Sequence, residues 1–198
     1  MTATQNAKEE EKEKIREELH LNKEDAFAIT VGNLIKRKNQ ITLIEAVNRL
    51  DNPHFHLFIC GDGQCYEELK KAASDLGIRS QIHFLGFRKD VEKLCGAADI
   101  FLFASVQEGL PVAVMEAMAC GLPIVTSKIR GNSDLIDSGK GGYLVQPKDA
   151  DSFAKAIVSV IRDKKKAESM ENYNFEKIKE YSKEKVMNQM AELYESLM

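Results

Sequence analysis

Six short apolar runs alternate along the chain with longer segments of helical periodicity, and this alternation constrains the fold more than any other feature. The segments at 41–50, 66–76 and 112–120 carry apolar residues every three or four positions. The short runs have strand length, and several are apolar on both alternating faces, which is typical of parallel strands covered on two sides. They lie at residues 27–31, 55–60, 82–85, 100–104, 124–126 and 143–145. The pattern predicts an α/β chain with a doubly wound parallel sheet of about six strands and helices on both faces.

The 198 residues divide into three predicted segments. Residues 1–24 form a charged N-terminal helix or linker, residues 25–165 the main domain, and residues 166–198 a helical extension. The first helix is expected over Lys8–Leu21, with Ile15, Leu19 and Leu21 on its apolar side. The tail from Asn174 onward predicts one or two charged helices. Its apolar side would carry Tyr181, Val186, Met190, Leu193 and Leu197.

Composition and charge exclude several classes of protein. The net charge is -3, and no Lys/Arg stripe of the kind that binds nucleic acid is present. No apolar run approaches the roughly 20 residues that cross a bilayer, and residues 1–25 lack a secretory signal, so a cytoplasmic location is expected. The four cysteines match no zinc or redox spacing. Cys60 and Cys120 are expected to be buried free thiols, and we expect no metal.

Glycines and a carboxylate follow the predicted strands. After successive strands come Gly32-Asn33, Gly61-Asp62-Gly63, Gly86-Phe87 and residues 105–109, which include Glu108 and Gly109. Ligands of doubly wound sheets bind beyond the carboxyl ends of the strands. The sequence therefore predicts a binding site at this edge of the sheet.

The first of these loops is rich in positive charge. Gly32 permits close approach of the backbone to a ligand, and Lys36, Arg37 and Lys38 then precede a helix whose N-terminal amides favour anions. A diphosphate site and an ordinary solvated basic loop are both compatible with this pattern. For the other two loops, Gly61 and Gly63 suit a simple turn, and Phe87 suits either a base-binding surface or the core.

The segment from Glu108 to Pro123 is the most informative. Pro111 and Gly121 suit the two ends of a helix over about Pro111–Cys120. Glu116 lies on this otherwise apolar helix, where a carboxylate needs a hydrogen-bond partner. Ribose hydroxyls would serve Glu116, and sugar hydroxyls would serve Glu108. The alternative interpretation is that Glu116 reaches solvent and Glu108 only caps the helix.

At this segment the chain resembles the C-terminal domain of family 4 retaining glycosyltransferases, which have the GT-B architecture of Rossmann-like domains. The Glu-x7-Glu pattern of Glu108 and Glu116 lies within EGLPVAVMEAMACGLPIVTS. Supporting matches are VGNLIKRKN, HLFICGDG, IHFLGFRKDV, AADIFLFAS and IRGNSDLIDSGKGGYLVQPKD. The resemblance covers about residues 25–165 and is closest to bacterial enzymes that make capsules or exopolysaccharides.

The resemblance implies roles for individual residues. Glu116 would hold the nucleotide ribose and Glu108 the donor hexose, while Lys38 would stabilise the leaving diphosphate. The family often carries a second phosphate-binding cation at the position of Asn33. Either Lys36, Arg37 or Arg130 takes its place in this chain, or the diphosphate is bound more weakly. The backbone at Gly109, Leu110, Pro111 and Val112 would hold sugar and phosphate, and Gly32 and Gly61 would add substrate contacts in the strand-end loops. Phe87 and Arg88 match the region that lines the base.

The activity that the resemblance implies is retaining transfer of a hexose from a nucleotide-diphosphate sugar, with UDP-hexose as the expected donor, to a glycan or lipid-linked acceptor. No cofactor or metal is implied, and we interpret Asp149-Ala150-Asp151 as a helix N-cap and not as a metal-binding DxD motif. The acceptor domain is expected to be missing, so the chain alone would be inactive. The full enzyme would be compatible with peripheral membrane association. The alternatives are a non-catalytic nucleotide-binding regulatory or scaffold module, or a nucleotide-sugar epimerase of the same architecture.

Overall fold

The structure, a computed structural model, describes residues 3–196, with the backbone alone for residues 3–8. The strands are β1 (Ala26–Val31), β2 (Phe55–Cys60), β3 (Ile82–Gly86), β4 (Ile100–Phe103), β5 (Ile124–Ser127) and β6 (Gly142–Val145). The helices are α1 (Ala3–Glu18), α2 (Gln40–Leu50), α3 (Tyr66–Asp75), α4 (Val91–Ala97), α5 (Val112–Ala119), α6 (Arg130–Leu135), α7 (Ala150–Ile161), α8 (Lys164–Ile178) and α9 (Lys183–Glu195). Two 3₁₀ helices cover Lys36–Lys38 and Lys179–Tyr181.

The six strands form one parallel sheet in the order β3-β2-β1-β4-β5-β6. Alternate strand residues feed two separate core layers. One layer packs Leu57 and Ile59 against α2, α3 and α7, and the other packs Phe58 and Phe101 against α1, α4 and α5. The predicted doubly wound sheet with helices on both faces is therefore confirmed.

The N-terminal helix packs on the domain. It covers Ala3–Glu18 and so begins and ends earlier than predicted. Ile15 is buried among the side chains of the second core layer, while Leu19 and Leu21 are partly buried against it. Arg16 donates to Asp99 at 3.3 Å, which adds a polar tie to the start of β4. The proposed boundary at residue 24 stays a prediction.

The C-terminal helices begin earlier than predicted. α8 starts at Lys164, ten residues before the predicted tail, and buries Met170 and Asn174. The boundary at 165/166 also stays a prediction, although α8 runs across it. In α9, Val186, Met190 and Leu193 are exposed, and Leu197 lies outside the described residues.

Several local predictions can be compared directly with the structure. Asp149 is the N-cap of α7 and accepts a hydrogen bond from the Ser152 amide at 3.0 Å, as expected. Gly121 follows α5 with φ +82°, the left-handed conformation that suits glycine after a helix end. None of the four cysteines forms a disulfide, and burial of Cys60 raises its pKa to about 12. The prediction that Cys120 is buried was wrong, because the end of α5 leaves it half-buried.

Candidate functional site

The site lies where the strand order reverses between β1 and β4. Chain segments leave these neighbouring strands on the same edge of the sheet, which is the usual position of a ligand crevice in such folds. The loop after β1 and the loop after β4 are joined there by two hydrogen bonds. The Val106 amide donates to the Arg37 carbonyl at 2.9 Å, and Asn39 Nδ2 donates to the Ala104 carbonyl at 3.1 Å.

An ion pair occupies this junction. Lys38 Nζ lies 2.7 Å from Glu108 Oε1, and the two side chains are 16% and 10% exposed. Arg37 Nη1 lies 3.4 Å from the same oxygen and also donates to the Gln107 carbonyl at 2.6 Å. Lys38 Nζ lies 4.8 Å above the centre of the Phe103 ring. The two residues predicted to be catalytic are therefore brought together from segments 70 positions apart.

The electrostatic environment keeps Glu108 ionised. Burial acts to raise the pKa of Glu108, but hydrogen bonds from Lys38 and Ser105, together with the charges of Lys38 and Arg37, outweigh it and hold the pKa below its usual value. Two cations face one carboxylate, so the cluster retains one excess positive charge. That excess is suited to an anionic ligand.

Glycines allow the strand-end loops to pack backbone against backbone. Gly61 has φ +134°, and a Cβ there would lie 2.2 Å from the Gly32 carbonyl oxygen. The Gly61 amide also donates to the Gly86 carbonyl at 2.8 Å. A Cβ on Gly32 would lie 3.6 Å from Lys38 Cε. The absence of side chains at these glycines therefore keeps the three loops together beside the Lys38 stem.

The second predicted acid lies on α5. Pro111 is buried and precedes the helix, whereas Leu110, Val112 and Glu116 are exposed. Val112 and Glu116 are four positions apart and so share one face of α5. Glu116 makes no side-chain hydrogen bond or ion pair with the residues that the structure describes. Its carboxylate is accordingly available to a ligand that approaches this face.

The loop between β4 and α5 rests on the start of α6. A Cβ on Gly131 would lie 2.3 Å from the Gly109 carbonyl oxygen and 3.0 Å from that of Glu108. This close approach fixes the height of the acidic loop above the sheet. Sequence reasoning assigned no role to Gly131, since a glycine inside a six-residue helix carries no evident signal for such a contact.

Phe87 and Arg88, the two residues predicted to lie near the base, differ in their exposure and in their bonding. Phe87 is 73% exposed directly after β3. Arg88 donates to Asp90 at 2.6 Å and to Glu18 of α1 at 3.0 Å, so its guanidinium is held by other carboxylates. Those two interactions raise the pKa of Arg88. Asn33 is exposed, and its carbonyl accepts a hydrogen bond from Gln40 at 3.1 Å.

Ser105 is a polar group at the site that sequence reasoning left without a role. It is fully buried two residues after the end of β4, and its hydroxyl donates to Glu108 Oε1 at 2.6 Å. The signal available in the sequence was its position, because a serine that ends an apolar strand at this edge lies within reach of the next loop.

Across residues 3–196, no three His, Cys, Asp or Glu side chains come together in a way that could hold a metal ion. Within the same described range, none of the helices has the length and hydropathy needed to span a bilayer.

Comparison with known proteins places this geometry in a family. A family model described as glycosyl transferases group 1 matches residues 11–177. The lipopolysaccharide core biosynthesis glycosyltransferase LpsE of Rhizobium meliloti is 35% identical over 135 residues, which are 68% of this chain and 39% of that protein. An Escherichia coli protein, UDP-Gal:alpha-D-GlcNAc-diphosphoundecaprenol alpha-1,3-galactosyltransferase, is 35% identical over 148 residues, which are 72% of this chain and 38% of that protein.

Solved structures agree with the sequence relatives. The structure of Anabaena Alr3699/HepE in complex with UDP and glucose matches with a TM-score of 0.86 and 26% identity, and covers 96% of this chain and 52% of that one. The chain thus spans about half of that protein and less than half of the two relatives. The fold and the matched range agree with the resemblance to family 4 enzymes of GT-B architecture. The chain belongs to the glycosyl transferases group 1 family.

Proposed function

We propose that the chain binds a nucleoside diphosphate sugar, and specifically a UDP-hexose, as the donor-binding part of a retaining hexosyltransferase. One observation carries this proposal. Lys38 Nζ and Glu108 Oε1 meet at 2.7 Å at the point where the strand order reverses. A cation suits the diphosphate and a carboxylate suits sugar hydroxyls, so one junction offers both chemistries that such a donor requires.

The cations would act on the leaving group. Cleavage of the bond between the hexose and the diphosphate builds negative charge on the phosphate oxygens, and preformed cations stabilise that charge best. Lys38 supplies one of them. Arg37 lies on the same carboxylate, and we propose it as the second cation in place of Asn33. With two cations in place, the proposed reaction needs no metal and no cofactor.

The acids would bind the rest of the donor. Glu108 is proposed to accept hydrogen bonds from hexose hydroxyls, and Glu116 from the ribose hydroxyls. The amides of Gly109 and Leu110, at the exposed end of the loop, would add donors for sugar and phosphate oxygens. Gly32 and Gly61 would let the backbone approach the ligand. Phe87 remains a proposed contact for the base, whereas Arg88 would have to leave its carboxylate partners to join it.

The names of similar proteins support the donor class. Anabaena HepE has been solved with UDP, with UDP and glucose, and with UDP-glucose. The E. coli relative is named for UDP-Gal, and other relatives are named for lipopolysaccharide core, colanic acid and amylovoran biosynthesis. We accordingly propose a role in bacterial polysaccharide biosynthesis.

The acceptor is proposed to bind outside this chain. Because the chain spans about half of the similar structures, we infer that it binds the donor alone but transfers nothing without the remaining part. A cytoplasmic location suits a nucleotide-sugar donor. A lipid-linked acceptor would bring the complete enzyme to the inner face of the membrane as a peripheral protein.

Titration calorimetry with UDP, UDP-glucose and UDP-galactose tests the proposal. Lys38→Met keeps the apolar stem but removes the charge, and we expect UDP affinity to fall about 10- to 150-fold, since a charge-assisted hydrogen bond contributes about 1.5–3 kcal/mol. The matched control is Lys71→Met, which removes an exposed lysine paired with Asp75 on α3 and should leave affinity unchanged. The proposal would be refuted if none of the three nucleotides bound, or if Lys38→Met and the parent protein bound UDP with equal affinity.

A further inference from the structure

We propose that Ser105 is a positioning residue of the donor site, which holds one oxygen of Glu108 against Lys38 and presents the other to the hexose. This inference rests on the proposed function, because it assigns Ser105 a task within the same site. Ser105 does not itself meet the ligand in this arrangement. It acts through the carboxylate that it orients.

Two hydrogen-bond donors and one more distant cation converge on one oxygen of Glu108. Ser105 Oγ lies 2.6 Å from Oε1, Lys38 Nζ lies 2.7 Å from it and Arg37 Nη1 lies 3.4 Å from it. None of the described residues donates to Oε2, and that oxygen is not fully buried. The carboxylate is therefore saturated on its inner side and open on its outer side, which is the orientation needed to accept a hydrogen bond from a sugar hydroxyl.

The Ser105 hydroxyl has a single hydrogen to donate. Its oxygen also lies 3.1 Å from the Arg37 carbonyl and 3.2 Å from the Gln107 carbonyl. The carboxylate is both the nearest acceptor and the only charged one of the three, so the hydrogen goes to Glu108. Lys38 and Arg37 are the charged groups that act on this carboxylate. Lys38 and Ser105 therefore hold Oε1 by hydrogen bonds from two directions, whereas Arg37 lies farther away and donates to the Gln107 carbonyl.

Buried polar groups hold Ser105 in turn. Its carbonyl accepts a hydrogen bond from the Ser127 hydroxyl at the end of β5. Asn132 Nδ2 of α6 donates to the Ser127 carbonyl at 2.8 Å. Ser105, Ser127 and Asn132 are all fully buried. Glu108 is thus oriented by a hydrogen-bond chain that runs from Ser105, two residues after β4, to the end of β5 and into α6, and all three of its members are buried.

Ser105→Ala tests the inference through two measurements. The first is the pKa of the Glu108 carboxyl by NMR titration, which should rise because a hydrogen bond to the charged form is lost. The second is the ratio of UDP-glucose affinity to UDP affinity by calorimetry. We expect UDP-glucose affinity to fall about tenfold with little change for UDP, since only the hexose needs the orientation of Glu108.

Control variants separate positioning from a general structural role. Ser105→Thr retains the hydroxyl and should restore the parent ratio. Ser159→Ala removes a serine hydroxyl that lies 3.0 Å from Tyr143 and 2.9 Å from Lys166, away from the site, and should change neither measurement. If Ser105→Ala does not fold, Ser105→Cys, with its weak S–H donor, replaces it and should shift both measurements in the same directions.

The possible failures are distinguishable. An unchanged Glu108 pKa and an unchanged affinity ratio in the folded variant would overturn the role of Ser105. An equal loss of affinity for UDP and UDP-glucose would also overturn it, because that is the effect of a general disturbance. If the parent protein binds no nucleotide, the proposed function fails, whereas the Glu108 titration still decides whether Ser105 orients the carboxylate.

Discussion

Replacing Gly131 by alanine sets helix propensity against a steric clash at the candidate site. In an unobstructed helix, glycine to alanine stabilises a protein by up to about 1 kcal/mol. At Gly131, however, the new Cβ would lie 2.3 Å from the Gly109 carbonyl oxygen and 3.0 Å from the Glu108 carbonyl oxygen. Both obstacles are backbone atoms, so a side-chain rotation cannot relieve the contact.

The structure gives the size of the disturbance. Ordinary contact begins near 3.4 Å, so the loop at Gly109 or the start of α6 must move by about 1 Å. Overpacking of this kind costs about 1–3 kcal/mol, which exceeds the gain in helix propensity. With two backbone oxygens in the way we take the upper part of this range, about 2–3 kcal/mol, so the net loss is about 1–2 kcal/mol and the Tm should fall by about 2–8 °C for a chain of this size. Movement of the loop also carries Glu108 away from Lys38, so UDP-glucose affinity should fall.

Thermal unfolding and calorimetry measure the two effects, and the chain offers a matched control. Gly96 lies in α4, and a Cβ there would meet nothing within 4 Å. Gly96→Ala should therefore raise stability by about 0.5–1 kcal/mol and leave nucleotide affinity unchanged. If Gly131→Ala behaves like Gly96→Ala in both measurements, the close contact between α6 and the acidic loop is absent and the argument fails.

Two further predictions concern the rest of the domain. Burial and the neighbouring charges of His56 and Arg79 lower the pKa of His83 from 6.5 to about 4. Between these two pH values the unfolded chain binds more protons than the folded one, so stability should fall as the pH drops from 6.5 to 4. Urea unfolding at pH 7 and pH 5 should show a loss of about 1 kcal/mol after allowance for solvent screening, and His83→Gln should reduce that loss; an equal loss in both proteins would contradict the assignment. Asn174 donates to the carbonyls of Leu122 and Gly141 at 2.7 and 2.6 Å, so Asn174→Ala should cost about 2–3 kcal/mol in urea unfolding, and a cost below about 0.5 kcal/mol would show that these bonds contribute little.

The sheet could be predicted because its signal is local. The strands are four to six residues long, and the inner strands β1, β2, β4 and β5 are almost fully buried, so they consist mostly of apolar residues on both alternating faces. The edge strands β3 and β6 are only partly buried. Two short helices were missed. α4 contains Gly96, and α6 reads Arg-Gly-Asn-Ser-Asp-Leu, which is a poor helix former by composition. Tertiary contacts such as those of buried Leu94 and Leu135 stabilise these helices, and no local pattern records them.

The start of α8 shows a signal that was present but not used. Asp163 accepts a hydrogen bond from the Lys166 amide at 3.1 Å and is the N-cap of the helix. Aspartate at this position is among the preferred N-cap residues, so a helix from Lys164 was predictable. The interpretation of Asp149 used the same rule, and there the structure agreed.

Topology explains why part of the candidate site could be predicted and part could not. In a parallel sheet the residues that follow neighbouring strands lie at one edge, so Lys38 and Glu108 could be assigned to the same region from sequence. Their direct contact, the approach of Arg37 and the hydroxyl of Ser105 depend on how two loops pack. Those loops are 70 positions apart, and no periodicity connects them.

The charge balance of the cluster suggests why a site of this kind can exist in a stable fold. A largely buried carboxylate without partners would raise the free energy of the folded state. The interactions of Glu108 with Lys38, Arg37 and Ser105 offset most of that increase. The groups that stabilise Glu108 in the fold are also the cations that a diphosphate requires. A diphosphate that approaches Lys38 and Arg37 would compete with Glu108 for them, and only Ser105 would then still hold the carboxylate in place. The proposed role of Ser105 should accordingly matter more when the nucleotide is bound than when it is not, so the effect of Ser105→Ala on the Glu108 pKa should be larger in saturating UDP than in buffer alone.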